Sequence, residues 1–197
     1  ALMIKNNLTL GEHRFTYQKE SKLYFFLLIL SFLAGCLAGS LVGSFFRFDS
    51  SLNDFIGFST LEASSIVSVF FHFARFHLVA FFLASSFYGV ALLPVLSCIR
   101  GYALSCTAAT IISFYPQNGI IMALVILGIP AMISLPCFFS ISIEGFMSSS
   151  RILHLVRGNS ASRKDKLYAK AIICLPFLAI GTLIEYKLVP YLVSLLI

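Results

Sequence analysis

The sequence predicts an all-α, polytopic transmembrane domain of about five membrane-spanning helices, with the N-terminus in the cytoplasm and the C-terminus outside. Composition is the first reason: 59% of residues are hydrophobic and 11% charged, too apolar for a single water-soluble core. Segment length is the second, because roughly 20 apolar residues of helix cross a hydrocarbon core of about 30 Å. Charge placement is the third, since polybasic sequence falls where alternating crossings put the cytoplasm. Backbone groups in lipid must pair within their own segment, so the spans are expected as helices. They are read at about 24–46, 68–92, 95–115, 119–143 and 168–196.

Residues 1–23 form a basic cytoplasmic arm, in which Lys5, Arg14, Lys19 and Lys22 outnumber Glu12 and Glu20. Residues 24–197 form the membrane domain. The first apolar run, of about 23 residues, exceeds the roughly 7–15 of a signal-peptide core and is expected to stay as an anchor. The following loop, from Arg47 to about Val67, carries Asp49, Asp54 and Glu62 against one Arg, as an outer loop should. A tight cytoplasmic turn is expected at Ala91-Leu92-Leu93-Pro94. Tyr115-Pro116-Gln117-Asn118-Gly119 has the composition of an outer hairpin. The 148–167 loop and the residues just beyond it are basic and cytoplasmic: Arg151, Arg157, Arg163, Lys164, Lys166 and Lys170 face Asp165 alone. Two separate basic clusters thus agree on one threading.

The net charge of +6 suggests membrane surface in preference to nucleic acid, because no basic patch is interleaved with aromatics. Cys36, Cys98, Cys106, Cys137 and Cys174 lie in or beside apolar runs without CxxC or metal spacing, and read as small buried hydrophobes. His154, in the basic loop, reads as a solvated imidazole. Without a Ser/His/Asp set, HExxH or P-loop in a plausible context, no catalytic residue, metal or cofactor is expected.

Gly35, Gly39 and Gly43 recur every fourth residue in the first span. Such a face permits close backbone approach in lipid, serving either packing within the chain, the favoured use, or a partner helix. Arg75, flanked by His72 and His77 at the start of the second span, reads together with these imidazoles as snorkelling to headgroups, with an anion or partner contact as the alternative. Arg100, just past Pro94, is expected near the cytoplasmic interface, at a depth where it could pair with Glu144. Gly101 beside it invites another backbone. Glu185 lies inside the last apolar run, where a charge is a functional candidate by default; closing a helix end or pairing with Arg75 is favoured over an ion relay, as no second membrane acid matches its depth. Pro130, Pro136 and Pro176 are expected to bend their helices.

Taken together, the Gly35/Gly39/Gly43 face, Pro94, Arg100-Gly101-Tyr102-Ala103-Leu104, the Tyr115–Gly119 turn and Leu183-Ile184-Glu185 ahead of Pro190 resemble the stage II sporulation protein M family, over about residues 24–196. Ser105 stands where family members often carry a second Gly after Arg-Gly. The resemblance implies a five-helix bacterial membrane protein that helps anchor a peptidoglycan-degrading complex during engulfment, without itself cutting the polymer. Membrane lipids and envelope or cell-wall hydrolase proteins are then the expected partners. The alternative is a permease-like subunit of an ABC-type transporter, paired with a cytoplasmic ATPase.

Overall fold

In a computed structural model the described residues are 2–45, 66–114, 117–156, 167–188 and 191, and among them there is no strand. Among the described residues there are five helices in chain order: α1 (Leu2–Phe45), α2 (Ile66–Ala84), α3 (Gly89–Phe114), α4 and α5. Helix α4 starts as Gly119–Ala123, widens into a π-helical turn at Leu124–Gly128 and continues as Ile129–Val156. Helix α5 runs Leu167–Leu183 and ends in a π-helical turn, Ile184–Leu188. Most of the 47–67 loop, Tyr115, Pro116, residues 157–166 of the basic loop and the final residues apart from Tyr191 lie outside the described set.

Among the described residues four segments are long and apolar enough to cross a membrane: Ser21–Phe45, Gly89–Phe114, Gly119–Leu153 and Leu167–Lys187. The expected second span, 68–92, is not one helix. Helix α2 ends at Ala84, and its shorter apolar part, Ala74–Ala84, measures about 16 Å at 1.5 Å per residue.

The reversal between α2 and α3 lies at Ser85–Tyr88, ahead of the expected turn at Ala91–Pro94. Ser85 and Ser86 donate their N–H groups to Phe82 O and Leu83 O, and Gly89 N–H closes on Ser86 O at 3.1 Å. Ser86 Oγ accepts a long bond from Tyr88 N–H, 3.4 Å. Pro94 instead sits inside α3. It costs the helix one backbone bond, to Val90 O, and its own carbonyl accepts the Ser31 hydroxyl of α1 at 2.6 Å.

Helix direction follows from which residues meet. Gly35, Gly39 and Gly43 face Cys98, Tyr102 and Cys106 in ascending order, so α1 and α3 run parallel. Arg100 meets Ser134 while Gly119 lies against Ile112, so α3 and α4 are antiparallel. His77 meets Ser134 and Ala84 meets Gly145, making α2 parallel to α4. Glu144 meets Lys170 and Cys137 meets Cys174, making α5 antiparallel to α4.

The α1–α3 seam is a backbone-to-backbone contact. A β-carbon on Gly35 or Gly39 would run into the carbonyl oxygen of Cys98 or Tyr102, and one on Gly43 would lie 2.7 Å from Cys106 O. From the opposite side, Gly101 of α3 presses on Phe32 O and lies 3.2 Å from Cys36 N in the same sense. Ser97 donates to Leu28 O at 3.0 Å. Small residues are needed because lipid supplies no hydrophobic drive between helices, leaving close packing and polar contacts to hold them. The glycine face is therefore filled from within the chain.

Around this seam the core gathers Leu28, Ala80, Ala84, Leu93, Phe138 and Ile141, all nearly sealed from solvent. Outward, α1 presents Leu23, Phe26, Leu30, Leu37 and Leu41, and α5 presents Ile172, Ile173, Phe177 and Ile180. Apolar faces of this extent suit hydrocarbon contact and not water.

The π-helical turn in α4 has a local cause. Pro130 has no N–H for Ile126 O, and its ring would clash with that carbonyl in a regular α-turn; widening the turn relieves the clash. Pro136 and Pro176 are carried within α4 and α5 on exposed faces.

Candidate intramembrane polar site

Arg100 is the twelfth residue of the 26-residue α3, about 16 Å along it. With the turn at Ser85–Tyr88, this residue lies at mid-span and not near the interface expected from a turn at Pro94. Its neighbour Gly101 faces α1, and the 100° step per residue aims the arginine away from α1, toward α2 and α4. It is only 5% exposed.

Three groups receive its guanidinium. Nη2 donates to the Ser134 hydroxyl of α4. Cζ lies 4.4 Å from the centroid of the Phe138 ring and 5.5 Å from that of Phe76, within cation–π reach. The Arg75 guanidinium also lies 5.0 Å from the Phe76 ring, so two cations of different helices share one aromatic side chain. Placing arginine at a helix centre in lipid costs at least about 2.5–3.5 kcal/mol. A desolvated cation–π contact of up to about 2 kcal/mol and a charged hydrogen bond of about 1.5–3 kcal/mol offset a cost of that size. Nη1, however, is buried with no hydrogen-bond partner among the described residues.

His77 of α2, 2% exposed, reaches the backbone carbonyl of Ser134 at 3.0 Å through Nε2. A carbonyl only accepts, so Nε2 carries the proton. Its ring meets Phe138 edge-on, with centroids 6.1 Å apart. His77 does not snorkel to the headgroups; it ties α2 to the same turn of α4 that Arg100 holds. Ser134 is the residue that sequence reasoning missed. One serine among many in an apolar run carries no signal until α3 and α4 are paired.

Glu144 does not pair with Arg100. It is 3% exposed and accepts Lys170 Nζ at 2.8 Å on Oε1, closing α4 against α5. Lys170, at 39% exposed, keeps part of its hydration.

Glu185 stands in the π-helical end of α5, and its Oε2 is buried without a hydrogen-bond partner among the described residues. That oxygen takes no hydrogen bond from Arg75, one of the partners considered for it, and π-turns recur at functional positions. Cys36 and Cys98 are half-buried and Cys106, Cys137 and Cys174 buried, all as free thiols; Cys174 Sγ lies 3.9 Å from Cys137 O. Among the described residues no three His, Cys, Asp or Glu side chains gather as metal ligands.

The chain matches no known family model, no curated protein and no solved structure.

Proposed function

We propose that this chain is a non-enzymatic integral membrane subunit that anchors and assembles an envelope complex in the bacterial cytoplasmic membrane. The observation that carries the reading is the parallel α1–α3 seam closed by Gly35, Gly39 and Gly101. It fixes one helical body at backbone distance and leaves the outer faces of α1 and α5 apolar for lipid or partner helices. Because the seam is internal, partner contact moves from the glycine face to those outer faces and to the loops.

The same seam supports five crossings. Two parallel helices joined through the intervening chain require that chain to return across the bilayer, and α2, antiparallel to α3, is the segment in position to do so. The N-terminal arm, the Ser85–Tyr88 turn and the basic stretch around the end of α4 and the start of α5, Arg151 to Lys170, then share the cytoplasmic side, in line with the positive-inside rule. Partners of the class implied by the sporulation-family resemblance, envelope proteins or cell-wall hydrolases, meet the outer side. Recovery of the intact chain in mild detergent, followed by mass spectrometry, should return such an envelope protein; recovery of the chain with no stoichiometric partner contradicts the reading.

A second reading is a permease-like subunit that pairs with a cytoplasmic ATPase. Arg100 at mid-span and the buried Glu185 oxygen favour it. It requires an ATPase in the same pull-down and solute flux in reconstituted vesicles.

A further inference from the structure

We propose that Arg100 and Ser134 form a binding site for one small monovalent inorganic anion of the chloride class, at the centre of the membrane domain. The inference goes beyond anchoring and holds whichever partner the chain assembles with.

An arginine side chain stays protonated in a protein interior, and Arg100 is 5% exposed. Among the described residues no carboxylate pairs with it: Glu144 is held by Lys170, and the buried Glu185 Oε2 takes no hydrogen bond. Phe76 and Phe138 give its cation ring faces, which attract charge but add no counter-charge. A buried cation that lacks an internal anion is further stabilised by one bound from outside.

The donors also select the kind of anion. Nη2 is committed to Ser134 Oγ, so the two-pronged edge that a carboxylate or phosphate would grip is half occupied. Nη1 remains, sealed from solvent and without a partner among the described residues. The Ser134 hydroxyl accepts from Arg100, which leaves its own hydrogen to donate to a neighbour of Nη1. Two such N–H and O–H donors suit a single spherical acceptor. The cost of dehydrating an ion rises with the square of its charge, which disfavours sulfate or phosphate dianions in this apolar surround.

The test uses the full chain in detergent micelles, unfolded by heat and followed with a thiol-reactive fluorophore that reports exposure of the buried Cys106, Cys137 and Cys174. Sodium chloride replaces sodium gluconate at constant ionic strength. The midpoint should rise saturably with chloride and with bromide, and radiolabelled chloride should bind at one per chain in equilibrium dialysis. Ser134→Ala, which removes one donor, should weaken the apparent affinity about tenfold or more, and Arg100→Met should abolish binding. If Arg100→Met does not fold, wild-type dialysis and Ser134→Ala decide. Absence of saturable chloride binding, a response unchanged in Ser134→Ala, or a larger response to sulfate than to chloride would each overturn the proposal.

Discussion

Gly39 of α1 lies directly on the backbone of Tyr102 in α3: a β-carbon there would collide with the Tyr102 carbonyl oxygen and lie 2.9 Å from its Cα. The obstacle is backbone, which cannot swing aside as a side chain would. Gly39→Leu should therefore force α1 and α3 apart and destabilise the domain by about 3 kcal/mol or more, at or above the usual range for overpacking. Leu37→Ala, two residues away on a face that is 69% exposed, should change stability by about 0.5 kcal/mol or less. Thermal unfolding in detergent distinguishes the two; equal effects would mean the seam is not closed at Gly39.

The Glu144–Lys170 pair joins a carboxylate sealed in the bundle to an amine that keeps part of its hydration. Removing the amine takes one charged partner from a buried carboxylate. Lys170→Ala should cost about 1–3 kcal/mol, toward the lower end of the range for buried pairs because Lys170 is partly exposed. The Glu144→Gln/Lys170→Ala double variant should cost less than the sum of the single changes. Strict additivity in a thermal-unfolding cycle would show that the pair makes no coupled contribution.

Phe138 is fully enclosed and gives Arg100 its nearest aromatic face. Phe138→Ala should cost about 3–5 kcal/mol through the cavity alone. Phe138→Leu keeps most of the volume and loses the ring, so its smaller loss, expected at about 1–2 kcal/mol, reports the ring's contacts with Arg100 and His77. A Leu variant as stable as the wild type would remove the ring from the account of how Arg100 is held.

Much of the helical plan is legible in the sequence because apolar run length and a four-residue glycine period are local signals. The Gly35/Gly39/Gly43 stripe, Arg100, Glu144 and Glu185 all stand out against their surroundings. The reversal between α2 and α3 does not. Pro94 looks like a turn residue yet is absorbed one turn into a helix, while Ser85 and Ser86 make the real turn inside an aromatic run that reads as continuous span. That shift of several residues moves Arg100 from the interface to mid-span. Its partner Ser134 is 34 residues away and becomes visible only once α3 and α4 are aligned. Glu144 likewise finds Lys170 and not Arg100, because α4 continues past it to Val156 and α5 returns alongside.

Labelling of three single-cysteine variants in intact cells with a membrane-impermeant thiol reagent tests the threading most directly. In a cysteine-free background the variants are Lys22→Cys at the start of the first span, Ser86→Cys in the α2–α3 turn and Gln117→Cys before α4. Parallel α1 and α3 with α2 as the return crossing predict that Gln117→Cys labels from outside, while Lys22→Cys and Ser86→Cys label only after the cells are permeabilised. Labelling of Ser86→Cys and Gln117→Cys from the same side, or of Lys22→Cys and Ser86→Cys from opposite sides, would contradict it.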